Sequence, residues 1–221
     1  MTGWIIVYLS PILLGIIIPF LMNQKINGLN RPAHNFLPPD FAKNALKSLL
    51  TIAAFLIIIG LVILLTPVKQ PALNIAGFLK LGFFVTCFGL LLIAFYYLLY
   101  CLKLSGNLIQ VVVSLSVLLI STTVFWMNPL IESSAANQAF KQSLINIALN
   151  FNPVTVLAAN FFQHDLMRAP EMYNYSVIGV SYYSYAVWWK VAAGYAVLSI
   201  IFFILGKSYA LLFPGKFSPG H

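Results

Sequence analysis

Long apolar runs alternate with short polar stretches along most of the chain. Each run holds 19 residues or more with almost no charge, and together they occupy residues 4–22, 48–66, 78–102, 107–127 and 186–213. A helix needs about 20 apolar residues to cross a bilayer core of about 30 Å. The pattern therefore predicts an all-α, polytopic integral membrane protein with five transmembrane helices.

The first run, "WIIVYLSPILLGIIIPFLM", contains Pro11, Gly15 and Pro19. Membrane helices tolerate such residues where neighbouring groups bond the carbonyls that a proline leaves without a donor. We therefore expect a kinked helix that packs against protein. No basic segment precedes this run and no small-residue cleavage site follows it before Asn23, so we interpret it as a retained span, with a signal peptide as the alternative.

A polar loop over residues 23–47 follows the first run. Its second half begins a helix, because a double proline precedes Asp40, an apolar run follows it, and aspartate is a favourable N-cap. The charged residues of this loop are candidates for contact with a cytoplasmic partner: Lys25, Arg31, Asp40 and Lys43.

The one long segment between predicted spans, residues 128–185, is semi-apolar throughout. Its first helical part has an apolar side typical of a helix at a membrane interface, formed by Phe140, Leu144, Ile147, Ala148 and Phe151. Asn152 and Pro153 then predict a break and a second helix to about Gln163, since asparagine caps well and proline suits a first helical turn. We expect a short external or re-entrant helix pair before the last span.

The alternative is that residues 139–163 form one membrane span. Such a span of about 24 residues is long enough to cross. It would carry Lys141, several amides and Pro153 through lipid, and charged and amide groups at that depth are costly. The broken pair is the preferred interpretation, and the crossing helix stays open as an alternative.

Composition agrees with the membrane class. Of 221 residues, 61% are apolar and 7% are charged, far from the composition of a soluble domain. We expect a single membrane domain over residues 1–221. The net charge of +8 comes from cations scattered singly at the ends of apolar runs, which indicates contact with lipid headgroups rather than with nucleic acid.

The spans lack the residues that chemistry in a membrane requires. They contain no Asp, Glu, Arg or His, and Lys80 and Lys190 lie near their ends. Ion-coupled transporters normally show intramembrane ionisable groups, and neither a nucleophile–base pair nor a pair of haem-ligating histidines is present at plausible depth. We expect no enzymatic activity, no cofactor and no metal.

Cation counts favour one threading through the membrane. With the N-terminus outside, the inner face receives Lys25, Arg31, Lys43, Lys47, Lys103, Lys207 and Lys216, and the outer face receives Lys69, Lys80, Lys141, Arg168 and Lys190. Because cytoplasmic loops carry the excess of Lys and Arg, the predicted orientation is N-terminus outside and C-terminus cytoplasmic. The expected location is a bacterial inner (plasma) membrane.

The order of elements in the second half resembles a known family. A span ends in Asn128-Pro129, short external helices are broken by Asn152-Pro153, and one final span follows. Over residues 107–213 this resembles the ABC-2 type permeases, the membrane subunits of ATP-binding-cassette exporters, which have short outer helices between their last two spans. Family members usually have six spans with an elbow helix in front, whereas this chain opens directly into a span that would correspond to their second. They often have an acidic residue and a Gly-Thr pair before a coupling helix, and the 23–47 loop has no such introduction.

The resemblance implies a permease-like membrane subunit of an ABC-2 type transporter that works with a separate ATPase and forms a homo- or hetero-oligomer. The alternative function is a non-catalytic structural or accessory subunit of a larger membrane complex. Either one places the protein in the lipid bilayer with protein partners, and neither names a substrate.

Polar residues around the predicted helix pair are the candidates for an external cap or partner surface: Asn152, Pro153, His164, Asp165, Arg168 and Glu171. Asp165 and Arg168 have the spacing of a helical ion pair. Part of this group, with Met167 and Met172, could also be interpreted as metal ligands, although thioethers and carboxylates prefer different ions. The nearby tyrosines 173, 175, 182, 183 and 185 with Trp188 and Trp189 indicate an interfacial aromatic belt, or a surface for a lipid or sugar.

Overall fold

The computed structural model describes residues 2–23, 39–65, 75–134, 136–169 and 176–212, with side chains for residues 10–23, 41–58, 60, 76–134, 136–169 and 176–212. Nine α-helices and one short 3₁₀ turn make up its regular structure. They are α1 (Thr2–Met22), α2 (Pro39–Leu65), α3 (Ile75–Cys101), α4 (Gly106–Ser121), α5 (Thr123–Trp126), α6 (Asn128–Ser133), α7 (Gln138–Asn150), α8 (Pro153–Phe161), the 3₁₀ turn Leu166–Arg168, and α9 (Trp188–Leu212). The all-α prediction is confirmed for these residues.

Three helices are long and apolar enough to cross a membrane, namely α2 over Phe41–Ile58, α3 and α9. The number rises to five if each of two bent pairs, α4 with α5–α6 and α7 with α8, counts as one span. In α1 the described side chains give only the shorter apolar stretch Ser10–Met22. Five spans therefore remain a prediction.

The long helices pack as a bundle in which α1 to α4 alternate in direction. Phe41, near the start of α2, lies 5.0 Å from Tyr97 near the end of α3. Asn44 of α2 donates to the carbonyl of Met22 at the end of α1, and Asn23 donates to Asn107 at the start of α4. We call the end where these groups meet the lysine end, because it carries Lys43, Lys47, Lys103 and Lys207.

The last helix, α9, packs along α3 and runs parallel to it. At three successive ring contacts the residue numbers increase in the same direction along both helices. The ring centres are 6.3 Å apart for Phe83 and Trp188, 5.4 Å for Phe88 and Tyr195, and 5.4 Å for Phe95 and Phe202. Because α4 is antiparallel to α3, α4 ends at the level where α9 begins. Residues 122–187 therefore leave and rejoin the bundle at one end, which we call the cap end.

Close helix contacts are made at glycines, as is common between membrane helices. A Cβ placed on Gly15 of α1 would meet Val117 of α4, and one on Gly206 of α9 would come within 3.0 Å of the Tyr97 ring. Beside the first contact, the Ser114 hydroxyl donates to the Gly15 carbonyl at 2.9 Å. That carbonyl lies four residues before Pro19, which has no N–H to give it. The expected repair of a proline-bearing helix by its neighbour is thus present in the structure.

The fourth predicted span, 107–127, is not one straight helix. α4 ends at Ser121, and the chain bends by 65° into α5 and α6. Thr122 and Thr123 lie at the bend, and threonine hydroxyls that bond carbonyls of their own helix often accompany bends. Thr122 Oγ1 donates to Leu118 O at 2.8 Å, and Thr123 Oγ1 donates to Ile120 O at 3.0 Å.

Two separate hydrophobic cores result. The larger one fills the bundle and includes residues of α1–α4, α8 and α9. The smaller one lies in the cap, which we define as residues 122–134, 136–151, 162–169 and 176–187, and is formed by Val124, Met127, Ile131, Ile145, Ala148, Leu149, Met167, Ile178 and Tyr183. The helix pair is divided between them, since α7 belongs to the cap core and α8 to the bundle core.

Candidate functional site

The predicted break at Asn152 is present. It lies between α7, which packs in the cap core, and α8, which packs in the bundle core. α7 and α8 meet at a bend of 79°. On α8, most of the helix surface is buried, including Val156, Leu157 and Phe161, and the Phe161 ring lies 5.9 Å from Phe84 of α3. α8 is therefore a short helix inserted into the cap end of the bundle rather than lying over it.

The path of this pair bears on the two interpretations of residues 139–163. Asn152 donates to the Ser121 carbonyl, where α4 ends. Phe161, at the end of α8, lies 6.1 Å from Trp188, where α9 begins. Both ends of α8 thus lie at the cap end, and α9 is parallel to α3. Residues 139–163 are therefore not one unbroken helix, and the placement of the broken pair relative to a membrane stays a prediction.

Asn152 has two roles at the break. Its Oδ1 accepts from the backbone N–H of Val154 at 2.9 Å and of Thr155 at 3.3 Å, which caps α8. Its Nδ2 donates to Ser121 O at 2.8 Å. Pro153 follows as the first helical residue and is buried. The cap predicted from the sequence is confirmed, and the bond to α4 is an additional function of the same amide.

Two further asparagines hold the start of α9 against the helix pair. Asn150 Oδ1 accepts from the backbone N–H of Ala186 at 2.8 Å. Asn160 donates to the carbonyl of Ala186 at 3.0 Å and accepts from the N–H of Trp188 at 3.1 Å. Nothing in the local sequence marks these two asparagines as site residues, because their partners are backbone groups 26 to 36 residues away.

Asp165 is the centre of a polar cluster in the cap. Tyr183 OH donates to its two carboxylate oxygens at 2.8 and 2.9 Å, and Tyr185 OH donates to Oδ1 at 2.7 Å. Arg168 Nε lies 3.6 Å from Oδ2, and its guanidinium lies 5.6 Å from the centre of the Tyr183 ring. The predicted Asp165–Arg168 pair is present, with Asp165 capping a 3₁₀ turn through the N–H of Met167.

This cluster holds its tyrosines in the protonated form. Burial, and secondarily the hydrogen bond to Asp165 and its negative charge, raises the pKa of Tyr183 to about 12. The same causes in the same order raise the pKa of Tyr185 further. Both hydroxyls therefore act as hydrogen-bond donors to the carboxylate across the physiological pH range.

The other predicted site residues are spread over the molecule. His164 is exposed just after α8, and its backbone N–H donates to Ala158 O at 3.0 Å. Lys43 is exposed at the lysine end. Lys25, Arg31 and Glu171 lie outside the described residues, and so does the side chain of Asp40. The structure thus brings Asp165 and Arg168 together, and places Asn152 and Pro153 at a different point, the helix break.

The metal and aromatic-surface interpretations gain no support from the described residues. Met167 is buried in the cap core, the Asp165 oxygens accept from tyrosines, and no group of three His, Cys, Asp or Glu that could hold a metal occurs in the described part of the chain. Among the aromatic residues, Tyr183 and Tyr185 turn towards Asp165, whereas Tyr182 is 84% exposed.

No protein family, curated protein or solved structure that was compared with the chain matches it.

Proposed function

We propose that this protein is the permease-like membrane subunit of an ABC-2 type transporter, working with a separate ATPase and with a second copy or a homologue. In this proposal α1, α2, α3, α9 and the bent unit of α4 with α5–α6 cross the membrane. The cap end faces outwards and the lysine end faces the cytoplasm of a bacterial inner membrane.

One observation carries the proposal. Between the fourth and the last long helix, an Asn-Pro pair is followed by two short helices that break at a second Asn-Pro pair, and the second of these helices is inserted at one end of the bundle. The resemblance to ABC-2 permeases implies this order of elements on the outer side. In an exporter, helices in this place would line the point where a substrate leaves.

The cation count of the full sequence supports the proposed orientation. With the lysine end inside, seven Lys and Arg lie on the inner side and five on the outer side, and cytoplasmic loops carry the excess of Lys and Arg. Among the described residues the two ends carry four cations each, so the bias comes from the loop at residues 23–38 and from Lys216. A cytoplasmic face with these cations would meet a nucleotide-binding partner and anionic lipid headgroups.

The test is purification of the full chain together with a P-loop ATPase encoded beside it. We expect a stoichiometric complex whose ATPase activity depends on this chain. Lys43→Glu should weaken the complex several-fold, whereas Lys80→Glu, a matched charge reversal of an exposed lysine near the cap end, should leave it intact. Recovery of the chain in a stable complex with other membrane proteins and no nucleotide-binding subunit would overturn the proposal and favour a structural subunit.

A further inference from the structure

We infer that one side of the cap lies in the bilayer, where the exposed apolar side of α7 and the exposed rings of α5 contact lipid acyl chains of the cap-side leaflet. This inference rests on the membrane embedding in the proposed function and does not depend on a partner ATPase. It assigns a ligand, the acyl chains, to a surface that would otherwise be an unexplained apolar patch.

α7 has two apolar sides. One side enters the cap core through Ile145, Ala148 and Leu149. On the other side, Phe140, Ile147 and Phe151 are 55%, 47% and 49% exposed, and their spacing of seven and four residues aligns them along the helix. Polar residues at positions 142, 146 and 150 lie between the two sides. A helix with one apolar row free and a polar strip beside it suits a position parallel to the membrane plane.

Protein groups bond all four carbonyls at the end of α4. Leu118 O and Leu119 O accept from the backbone N–H of Thr122. Side chains also donate to Leu118 O from Thr122, to Leu119 O from Trp126, to Ile120 O from Thr123 and to Ser121 O from Asn152. The buried Ser121 hydroxyl beside them has no partner among the described residues. Hydrocarbon demands that the backbone of a broken helix be bonded within the protein, and these carbonyls meet that demand.

Trp126 gives the same indication. Trp126 is 48% exposed, and its indole N–H donates to Leu119 O at 2.8 Å in a bond that itself lies at the exposed surface. The one polar hydrogen of the ring is therefore already bonded to the backbone. The rest of its exposed surface is mainly carbon, which suits acyl chains.

The apolar surface of the cap continues that of α4. Leu115, Leu118 and Leu119 are exposed on the last turns of α4, and Phe125, Trp126 and Leu130 are exposed just beyond the bend. The 16 residues of α4 span only about 24 Å, short of the roughly 30 Å hydrocarbon core. The bent segment therefore begins within the hydrocarbon, so acyl chains reach its outer side. Another protein on the same surface would be the competing occupant.

Spin labels distinguish lipid, water and protein contact at this surface. Ile147→Cys, Ala139→Cys and Val197→Cys are each made in the full chain after replacement of Cys87 and Cys101, which are buried. The proteins are reconstituted in phosphatidylcholine–phosphatidylglycerol vesicles. Accessibility to oxygen, which partitions into lipid, is compared with accessibility to a water-soluble nickel chelate. Ala139 is the matched control because it is exposed on α7 and its spacing of three and seven residues places it in line with the polar positions 142 and 146.

We expect the label at position 147 to show an oxygen-to-chelate ratio several-fold above that at 139 and close to that at 197, which is exposed on α9. Equal, chelate-dominated accessibility at 147 and 139 would overturn the inference, because both sides of α7 would then stand in water. Low accessibility of position 147 to both reagents would also overturn it, because a second protein copy would then cover the row. Chelate accessibility at 197 would instead refute the membrane embedding itself.

A second measurement does not depend on the cysteine-free background. Brominated acyl chains quench tryptophans that contact them, and the chain has four tryptophans. Trp126→Phe should lower the fraction of fluorescence that bromolipid vesicles quench. An unchanged quenched fraction would contradict lipid contact at α5.

Discussion

At the scale of single residues, polar side chains replace backbone hydrogen bonds that prolines and helix breaks remove. Ser114 is the simplest case, because its hydroxyl on α4 bonds the Gly15 carbonyl on α1 that Pro19 leaves without a donor. Ser116, one half-turn further along α4, bonds only the Val112 carbonyl of its own helix. The two serines therefore differ in whether a neighbouring helix depends on them.

Ser114→Ala should lower the free energy of unfolding by about 1–3 kcal/mol, the cost of an unsatisfied buried acceptor. Ser116→Ala, the matched control, should change it by less than about 0.5 kcal/mol. In a Pro19→Ala background, which restores an N–H donor for Gly15, the effect of Ser114→Ala should shrink. Thermal unfolding of the detergent-solubilised variants measures this, and equal losses in both backgrounds would refute the compensation.

The Asp165 cluster gives a prediction at high pH. The pKa of Tyr183 is raised from 10 to about 12, so its contribution to stability is complete below pH 10 and is lost as pH rises from 10 to 12. Asp165→Asn removes the negative charge, and we expect Tyr183 to ionise at lower pH, though still above 10 because burial remains. The tyrosinate absorbance difference between each protein and its Tyr183→Phe variant reports this pKa. The same titration curve with and without Asp165→Asn would contradict the role of the carboxylate.

At the scale of elements, three asparagines fix the helix pair between α4 and α9. Asn152 bonds the end of α4, and Asn150 and Asn160 bond the start of α9. The pair is thereby held in the bundle end by amides that reach the backbone of both neighbouring long helices.

Asn152→Ser separates the two roles of this residue. Serine still caps α8 but is too short to keep the bond to Ser121 O, so we expect a loss of about 1 kcal/mol from that bond. Asn152→Ala should lose about 1 kcal/mol more, because the cap is also removed. Asn137→Ser is the control, since Asn137 caps α7 at an exposed position. If serine and alanine at position 152 gave the same stability as the parent, the bonding scheme at the break would be wrong.

The long helices and the Asn152 break could be predicted from the sequence, because apolar length and an Asn-Pro pair act locally. The bend at Thr122 could not, since threonines bonded to their own helix are also common in straight spans. The partners of Asn150 and Asn160 were equally hidden, because they are backbone groups of a distant segment whose position depends on the whole fold. Asp165 can be recognised as a candidate from its charge, but in the sequence its tyrosine partners look the same as members of an interfacial aromatic belt.

Two glycines of α9 should respond in opposite ways to alanine. At Gly194 a Cβ meets nothing within 4 Å, whereas at Gly206 it would lie 3.0 Å from the Tyr97 ring and 3.3 Å from the Leu98 backbone. Alanine favours a helix over glycine by up to about 1 kcal/mol, so Gly194→Ala should stabilise. Gly206→Ala should be neutral or destabilising, because α3 must move away. Unfolding temperatures of the two variants decide this, and equal stabilisation by both would show that α3 and α9 are not in close contact at Gly206.

At the scale of the whole molecule, the parallel packing of α3 and α9 places the start of α9 at the cap end, where α4 ends. Because α4 ends and α9 begins at the cap end, the segment between them must begin and end there. The short helices α5 to α8 meet this requirement by staying at the cap end, and α8 closes that end by entering the bundle core. Whether the protein works in an exporter or as a structural subunit, its function would depend on which proteins bind the cap end and the lysine end.

The most direct test of this account is the sidedness of three exposed positions. Ser133→Cys lies before the helix pair, Tyr182→Cys lies after it, and Lys43→Cys lies at the lysine end. In intact cells, a membrane-impermeant maleimide should label positions 133 and 182 alike, and should label position 43 only after permeabilisation. Labelling of 133 and 182 from opposite faces would show that residues 139–163 cross the membrane and would contradict the account.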